Sequence, residues 1–181
     1  MLYESLIPKF YPQDDELRKI LWVHSRQVAD RALRIVAQNP QLGADAKFVE
    51  EAAMLHDIGI FLTHAPRIHC HGAEPYLLHG RLGAELLRAE GYPQLARVCE
   101  RHTGTGLTRA TIAERQLPLP DEDFCPETIE EIIICYADKF FSKTHLGEEC
   151  SLENATKSLE RFGEAGVQKF LGWAKIFGEL E

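Results

Sequence analysis

Residues 14–38, DDELRKILWVHSRQVADRALRIVAQ, decide the fold class of this chain. Apolar side chains in this stretch recur at spacings of three and four residues, which places them on one face of an α-helix. That face comprises Leu17, Ile20, Leu21, Val28, Ala32, Ile35 and Val36. Asp14 and Asp15 suit the N-terminal end of such a helix, because carboxylates are stabilised near its unpaired amide groups. The pattern therefore predicts a long helix with one buried face.

The rest of the chain repeats this helical pattern. Further helices are predicted over residues 44–57, 78–90, 93–102, 108–116, 128–143, 152–162 and 165–177. Residues 60–76 carry two prolines and one glycine and are expected to form a loop. The run IEEIIICYADKFF at 129–141 contains β-branched residues, but its length and its acidic pair favour a buried helix over a strand. We therefore expect an all-α fold of about seven or eight helices, with residues 1–181 forming a single domain.

The composition is that of a globular protein and narrows the function classes. Of the 181 residues 45% are hydrophobic and 27% are charged, which excludes a disordered or collagen-like chain. Lys and Arg number 20 against 28 Asp and Glu, so the net charge of −8 argues against binding a nucleic-acid polymer. No membrane span or signal peptide is recognisable. The five cysteines include no CxxC pair, which predicts a cytoplasmic protein with reduced thiols.

Four polar residues interrupt the apolar faces of the predicted helices. His24 and His56 each follow apolar residues of their own face by four and seven positions, so both are expected to point inward. Asp57 is the neighbour of His56, and Asp138 lies inside the most apolar helix of the chain. A buried carboxylate without a partner is costly, and a bound cation is the simplest compensation. Histidine combined with carboxylate suits first-row metals such as Mn, Fe, Co, Ni or Zn.

Two more histidines, His79 and His102, lie near predicted helix ends, where small residues that follow them let an imidazole face a cavity. All these polar residues also have an ordinary structural interpretation. A histidine on an apolar face is often a hydrogen-bonded core residue, and Asp138 could pair with Arg31 or Lys139. The ordered set as a whole favours metal binding, although its wide spacing forms no local metal motif.

The order His24, His56-Asp57 and Asp138 resembles the HD superfamily of metal-dependent phosphohydrolases. The segment AAMLHDIG at 52–59 is similar to the HDIG variant of that family, and the similarity extends from about residue 20 to residue 145. The resemblance implies an all-α bundle around a five-helix core in that region. Helices at about 150–178 would pack on this core.

The resemblance also implies a role for each matching residue. Asp57 would bridge two divalent ions, with Fe, Mn, Co, Ni, Zn and Mg as candidates, and Asp57 and His56 would be the catalytic residues. The six metal ligands would be His24, His56, Asp57, His79, His102 and Asp138. Such ions make a bound hydroxide available at neutral pH. The implied activity is hydrolysis of a small phosphorylated compound, with a nucleotide as the expected substrate and partner.

Basic residues near these positions are candidates for binding the phosphate of a substrate. They are Arg67, Arg101, Lys139 and Lys143. Each of them could instead be an ordinary surface charge. The two lysines could also simply be cations near a helix C-terminus, where positive charge is favoured. Arg67 belongs to the histidine-rich stretch THAPRIHCHG, which could be a lid over the site or a solvated loop without a role. Lysines also stand where the related diadenosine tetraphosphate hydrolases usually carry an arginine, so the substrate need not be theirs.

Two other functions would use the same ligands. A noncatalytic module could bind metal or a nucleotide as a sensor, and a diiron oxygenase would consume oxygen. Aromatic residues near the chain ends are expected to pack in the core, and their alternative role is a homodimer surface. They are Tyr3, Phe10, Tyr11, Trp22, Phe170, Trp173 and Phe177.

Overall fold

Helices account for most of the chain, and five short strands fill two of the connections between them. A computed structural model describes residues 1–180. In that range the helices are α1 (Tyr3–Phe10), α2 (Glu16–Gln38), α3 (Ala46–Leu55), α4 (His79–Ala89), α5 (Pro93–Arg101), α6 (Arg109–Glu114), α7 (Ile129–Asp138), α8 (Leu152–Leu159) and α9 (Glu164–Ile176). The strands are β1 (Thr63–Ala65), β2 (Cys70–His71), β3 (Glu74–Pro75), β4 (Phe141–Ser142) and β5 (His145–Glu149). The predicted all-α fold is confirmed. None of these helices has the length and apolar character needed to cross a membrane.

Helix α2 is the central element, and it packs against both α3 and α7. Its buried residues follow the predicted face and include Ile20, Leu21, Val28, Ala32 and Ile35. The Asp15 carboxylate caps its N-terminus by accepting a hydrogen bond of 2.9 Å from the backbone amide of Arg18. Helix α7 begins with a capping box formed by Thr128 and Glu131. Because local side chains satisfy the first amides of both helices, their starting points are encoded nearby in the sequence.

The remaining helices surround this centre. Helices α4 and α5 pack against each other, and α5 also contacts α3 and α7. Helix α9 packs on α7 through aromatic rings, since Tyr136 contacts Phe170 and Phe177 as well as Phe140. Most of the aromatic residues near the chain ends are therefore packed in the core, as predicted. Trp22 on α2 is the exception, because it is 37% exposed.

Helix α1 has no counterpart among the predicted helices. It is short and contains Pro8, so its own sequence gives a helix little support. Its first amides are bound from a distance: the Glu51 carboxylate on α3 accepts from the amide of Leu2 at 2.9 Å and from that of Tyr3 at 3.2 Å. Because the capping group lies far along the chain, the local pattern near the N-terminus does not reveal this helix.

The helix predicted over 128–143 is too long. Helix α7 ends at Asp138, and β4 pairs antiparallel with β5 to form a hairpin. Arg31 on α2 holds this hairpin through an ion pair with Glu149 of β5. This tertiary contact joins residues far apart in the chain, so the local helical pattern does not reveal it. It also places Lys143 at the tip of the hairpin rather than on a helix face.

The segment predicted as a loop, residues 60–76, contains short 3₁₀ turns and a small sheet with the strand order β2-β1-β3. Strand β1 pairs antiparallel with β2 and parallel with β3. Three histidines of this segment, His64, His69 and His71, are exposed. The backbone pairing gives the segment a defined shape that its loop-like composition does not indicate.

Candidate metal centre

Two groups of buried side chains meet where the helices converge, and each group could hold a metal ion. In each group one ligand atom per residue lies within 4.8 Å of the others. The first group is His24, His56, Asp57 and Asp138, and the second is Asp57, His79 and His102. The structure thus brings together all six residues that the sequence singles out as ligands, and Asp57 belongs to both groups.

Helix ends supply most of these residues. Only His24 lies in the middle of a helix, α2, whereas the other five lie at or directly beside helix ends. They follow α3 (His56 and Asp57), open α4 (His79), follow α5 (His102) and close α7 (Asp138). The centre is therefore built where the ends of four helices meet the side of α2.

In the first group, two histidines face two carboxylates. The Nε2 atom of His24 lies 3.1 Å from Asp57 Oδ2 and 3.1 Å from Asp138 Oδ1. The Nε2 atom of His56 lies 3.0 Å and 3.4 Å from the same two oxygens. Four potential ligand atoms therefore point at one small volume.

The second group uses the other oxygen of Asp57. Asp57 Oδ1 lies 3.3 Å from the Nε2 atom of His79 and 3.6 Å from that of His102. The two Nε2 atoms are 3.0 Å apart. Since Oδ2 faces the first group and Oδ1 the second, the single carboxylate of Asp57 has the arrangement of a bridging ligand.

Backbone carbonyl groups fix the tautomers of three of the histidines. The Nδ1 atoms of His56, His79 and His102 lie 2.6, 2.6 and 2.7 Å from the carbonyl oxygen three residues earlier. A carbonyl oxygen can only accept, so each Nδ1 carries a proton, and in the neutral ring Nε2 keeps its lone pair for the interior. Metal-binding histidines are commonly oriented in this way.

The interior of the centre contains polar atoms without hydrogen-bond partners. Among the described residues, His56 Nε2 and both oxygens of Asp57 are buried and make no hydrogen bond, although Asp57 Oδ2 forms an ion pair with Lys143. His24 is less completely held, because its Nδ1 atom is also without a partner. Buried polar atoms nearly always have partners, and a divalent cation would supply one for the carboxylate and the imidazole nitrogens together. The residues present therefore fit a metal ion.

The charge states of the centre also suit a cation. Burial alone would raise the pKa of Asp57, but His56 and Lys143 outweigh it and hold that pKa well below its usual value. Burial lowers the pKa of His79 to about 3 and lowers the pKa of His102 as well, so both are neutral at neutral pH. Burial opposes protonation of His56 too, but nearby carboxylates raise its pKa to about 9, so it must lose a proton to bind a metal.

Lysines extend the centre in two directions. Lys143 Nζ lies 2.6 Å from Asp57 Oδ2 and forms an ion pair with this carboxylate. Lys139 Nζ donates to Asp138 Oδ2 at 2.6 Å and to the carbonyl oxygen of His102 at 3.1 Å. The pairing of Asp138 with Lys139, which the sequence offered as an alternative to metal binding, is therefore present together with the cluster of potential ligands.

The arginines proposed for this region lie in different places and have different partners. Arg31, the other candidate partner of Asp138, pairs with glutamates instead. Arg101 forms an ion pair of 2.7 Å with Glu127, and it is not among the residues that line the cavity beside the centre. Arg67 does line that cavity, as do Lys139 and Lys143.

The cavity beside the centre has a volume of ≈1260 Å³. His79, His102 and Asp138 form part of its wall, so it reaches both ligand groups. Tyr76, whose ring stacks on His79 at 4.6 Å between ring centres, lines it as well. Further lining residues that the sequence pattern misses include Arg115, Phe141, Arg161 and Phe162. They lie outside the ligand-bearing helices, and nothing in their local sequence marks them.

A divalent metal is expected to raise the melting temperature of chelator-treated protein by about 5–10 °C. A ligand at 100 times its Kd stabilises by about 2.7 kcal/mol, and each kcal/mol shifts Tm by about 2–4 °C at this size. Differential scanning fluorimetry with and without added Mn²⁺, Fe²⁺ or Zn²⁺ measures the shift. His79→Ala should reduce it, whereas replacement of the exposed His64 by alanine should leave it intact. Equal shifts in both variants would show that the stabilising ion binds elsewhere.

Three curated relatives are similar to this chain. An uncharacterised protein of Methanocaldococcus jannaschii is 34% identical over 130 residues, which cover 71% of this chain and 68% of the relative. The tRNA (cytidine(56)-2′-O)-methyltransferases of Thermoplasma volcanium and Picrophilus torridus are each 32% identical, with 66% and 74% of this chain covered. The matches span only 31% and 38% of those two enzymes, so most of their length lies outside the similarity.

Two solved structures share the fold. Both are the HD domain of the phosphodiesterase PgpH of L. monocytogenes, in one case in complex with cyclic-di-AMP. The TM-score is 0.54 for each, and the identities are 18% and 20%. The alignments cover 98% and 99% of this chain and 96% and 85% of the two structures. At these identities the likeness concerns the fold.

A family model described as HD domain matches residues 21–142. This range contains all six residues of the two ligand groups, four of the five helices that position them, and α2 from residue 21 onward. The matched range makes up most of the chain, and the match to the M. jannaschii protein covers two thirds of that protein's own length. The chain belongs to the HD-domain family.

Proposed function

We propose that this chain is a metal-dependent phosphohydrolase that acts on a small phosphorylated compound, specifically a nucleotide. The observation that carries the proposal is the position of Asp57, whose two oxygens face different sets of histidines. Basic side chains line the cavity beside this centre. A site for divalent cations next to basic side chains suits the charge of a phosphate ester.

The two ligand groups define where metal would be held. His24, His56, Asp57 and Asp138 would hold one ion, and Asp57, His79 and His102 a second. When bound, such ions would lower the pKa of a water molecule and offset the charge of the phosphoryl oxygens. The chain contributes preorganisation, because backbone carbonyls already orient three of the imidazoles.

The two lysines have distinct places in this proposal. Lys143 is 14% exposed and lines the cavity, so its ammonium group stands between Asp57 and the space for substrate. From there it can donate to a phosphoryl oxygen. Lys139 is already engaged with Asp138 and the backbone of His102, so its first role is to position the ligands. Arg67 on the wall of the cavity adds a further cation for substrate phosphate.

Aromatic walls support a nucleotide rather than an inorganic or purely sugar phosphate. Tyr76 and Phe141 line the cavity, and an aromatic side chain in such a wall can stack on a base. The cavity volume of ≈1260 Å³ lies above the range of about 300–1,000 Å³ that is common for small-molecule sites, so the cavity has room for a nucleotide. The PgpH HD domain, which has the same fold, has been solved with a cyclic dinucleotide.

A noncatalytic sensor is the main competing function. A structural metal site has a closed set of protein ligands, whereas a catalytic site keeps a position open to substrate. Here residues from both ligand groups, His79, His102 and Asp138, line the cavity. This access favours catalysis.

The decisive experiment is a hydrolysis screen of protein loaded with Mn²⁺, Fe²⁺, Co²⁺, Ni²⁺, Zn²⁺ or Mg²⁺. The substrates would be p-nitrophenyl phosphate, adenosine monophosphate, a linear dinucleotide and a cyclic dinucleotide. We expect metal-dependent cleavage of at least one nucleotide. Tight nucleotide binding without turnover under any metal would instead support a sensor, and ligand-dependent oxygen consumption would support an oxygenase.

Lys143→Gln is expected to lower kcat by about 10²-fold, the usual effect of removing one donor that stabilises developing charge. The glutamine keeps much of the side chain but removes the charge beside Asp57. Metal content, measured by mass spectrometry of the purified protein, should stay unchanged. Lys157→Gln, a change of the same type at an exposed position on α8, is the matched control. A kcat equal to that of the control would remove Lys143 from the mechanism.

A further inference from the structure

The arginines of this chain fall into two classes. Eight of the twelve form ion pairs with Asp or Glu within residues 1–180. The other four, which have no such pair in that range, are Arg18, Arg67, Arg115 and Arg161. Three of these four, all except Arg18, line the cavity beside the metal centre. The net charge of −8 means that carboxylates outnumber basic side chains in this chain, so most arginines find an acidic partner. Arginines without such a partner are therefore concentrated at the cavity.

Two of these arginines are neighbours on elements that carry no ligand of the metal centre. Arg115 follows α6, and Arg161 lies in the 3₁₀ turn that follows α8. Arg115 Nη1 donates a hydrogen bond of 2.9 Å to the carbonyl oxygen of Arg161. Within residues 1–180 the Arg115 guanidinium makes no other hydrogen bond, so its remaining N–H groups can donate to an anion.

The wall of the cavity connects these arginines with the centre. Phe162 adjoins Arg161, whose guanidinium carbon lies 4.8 Å from the centre of the Phe162 ring. The Phe162 ring also packs on Gly104, where a Cβ atom would lie only 3.3 Å from the ring. Gly104 in turn is two residues from the ligand His102, and all four residues line the same cavity.

We propose that Arg115 and Arg161 form an anion subsite that binds a phosphate group of the substrate other than the one that reacts. The inference rests on the proposed function and narrows its substrate class to nucleotides with two separated phosphates. Guanidinium groups bind phosphate through paired N–H donors, which suits them to this role. A nucleoside bisphosphate and a dinucleotide share this chemistry.

Equilibrium binding tests the subsite without requiring turnover. Isothermal titration of the full, metal-loaded chain would use adenosine 3′,5′-bisphosphate, the linear dinucleotide pApA and adenosine monophosphate, with ligand integrity checked afterwards. We expect both two-phosphate ligands, or one of them, to bind at least about tenfold more tightly than the monophosphate. The tighter of the two identifies the source of the second phosphate.

The variant Arg115→Gln/Arg161→Gln should abolish this preference by raising Kd about tenfold for the two-phosphate ligand only. Arg18→Gln is the matched control, because Arg18 is also unpaired within residues 1–180 but does not line the cavity. Equal affinity of wild type for all three ligands, or equal weakening of all three in the double variant, would overturn the subsite.

The two proposals fail in different ways. If the arginines confer the preference but no ligand is hydrolysed, the subsite stands and the phosphohydrolase proposal fails. If p-nitrophenyl phosphate is hydrolysed while the double variant and wild type bind every ligand alike, the phosphohydrolase proposal stands and the subsite fails.

Discussion

Asp57→Asn is expected to lower hydrolysis by at least about 10³-fold, or about 4 kcal/mol, and to empty both ligand groups of metal. Asp57 is the one residue that the two groups share, with Oδ2 directed to His24 and His56 and Oδ1 to His79 and His102. Asparagine keeps the shape of the side chain, but it is uncharged and presents an amide nitrogen to one group. A neutral amide cannot bridge two cations.

Two measurements on the same preparation check this prediction. Metal content by mass spectrometry and hydrolysis rate should both fall, while the circular dichroism spectrum stays that of a folded helical protein. Asp30→Asn is a suitable control, since Asp30 is an exposed carboxylate on α2 whose partner is Arg26. Retained metal and retained activity in Asp57→Asn would refute the central role of this carboxylate.

The sequence predicts the candidate ligands because their neighbours in the chain indicate their direction. His24 lies on the apolar face of α2, four residues after Ile20, and that spacing alone turns it toward the core. His79 and His102 lie at helix ends, where periodicity is weaker, and their assignment depends on resemblance to the HD family. The convergence of all six on one point is a tertiary fact that spacing alone does not give.

Arg101 shows how proximity in sequence can mislead. It precedes the ligand His102, which suggests a place in the same site. Successive residues of a helix point about 100° apart, however, so one neighbour can face the centre while the other faces away. Arg101 accordingly binds Glu127 and the carbonyl oxygen of Cys125 on another side of α5.

Long-range contacts account for the features that the sequence pattern misses. The hairpin at 141–149 contacts α2 through the ion pair between Arg31 and Glu149. Arg115 and Arg161 become recognisable as an anion subsite only through the ion pairs that they do not make within residues 1–180 and through the cavity that they share. No local pattern encodes these pairings, because each joins residues distant in the chain.

Gly80→Ala is expected to destabilise the protein by about 3 kcal/mol, at the upper end of the range for overpacked positions. A Cβ atom at residue 80 would lie 2.3 Å from the carbonyl oxygen of Cys99, so α4 and α5 would have to separate. The same oxygen accepts a hydrogen bond from His102 Nδ1, with 2.7 Å between the nitrogen and the oxygen. Displacing it would disturb the orientation of a ligand in the second group, and loss of such a supporting bond typically weakens metal binding by about 10–100-fold.

Gly172→Ala separates this close contact from the general effect of replacing a helical glycine. Gly172 also lies in a helix, α9, but a Cβ atom there would have no neighbour within 4 Å. Alanine at residue 172 should therefore stabilise by about 0.5–1 kcal/mol through helix propensity. Urea denaturation of both variants, with metal titrations of each, should show opposite changes in stability and weakened metal binding only for Gly80→Ala. Unchanged stability together with unchanged metal affinity in Gly80→Ala would contradict this prediction. The added methyl group would then have been accommodated without moving the carbonyl oxygen of Cys99. In that case the close contact between α4 and α5 would not be what holds His102 in place.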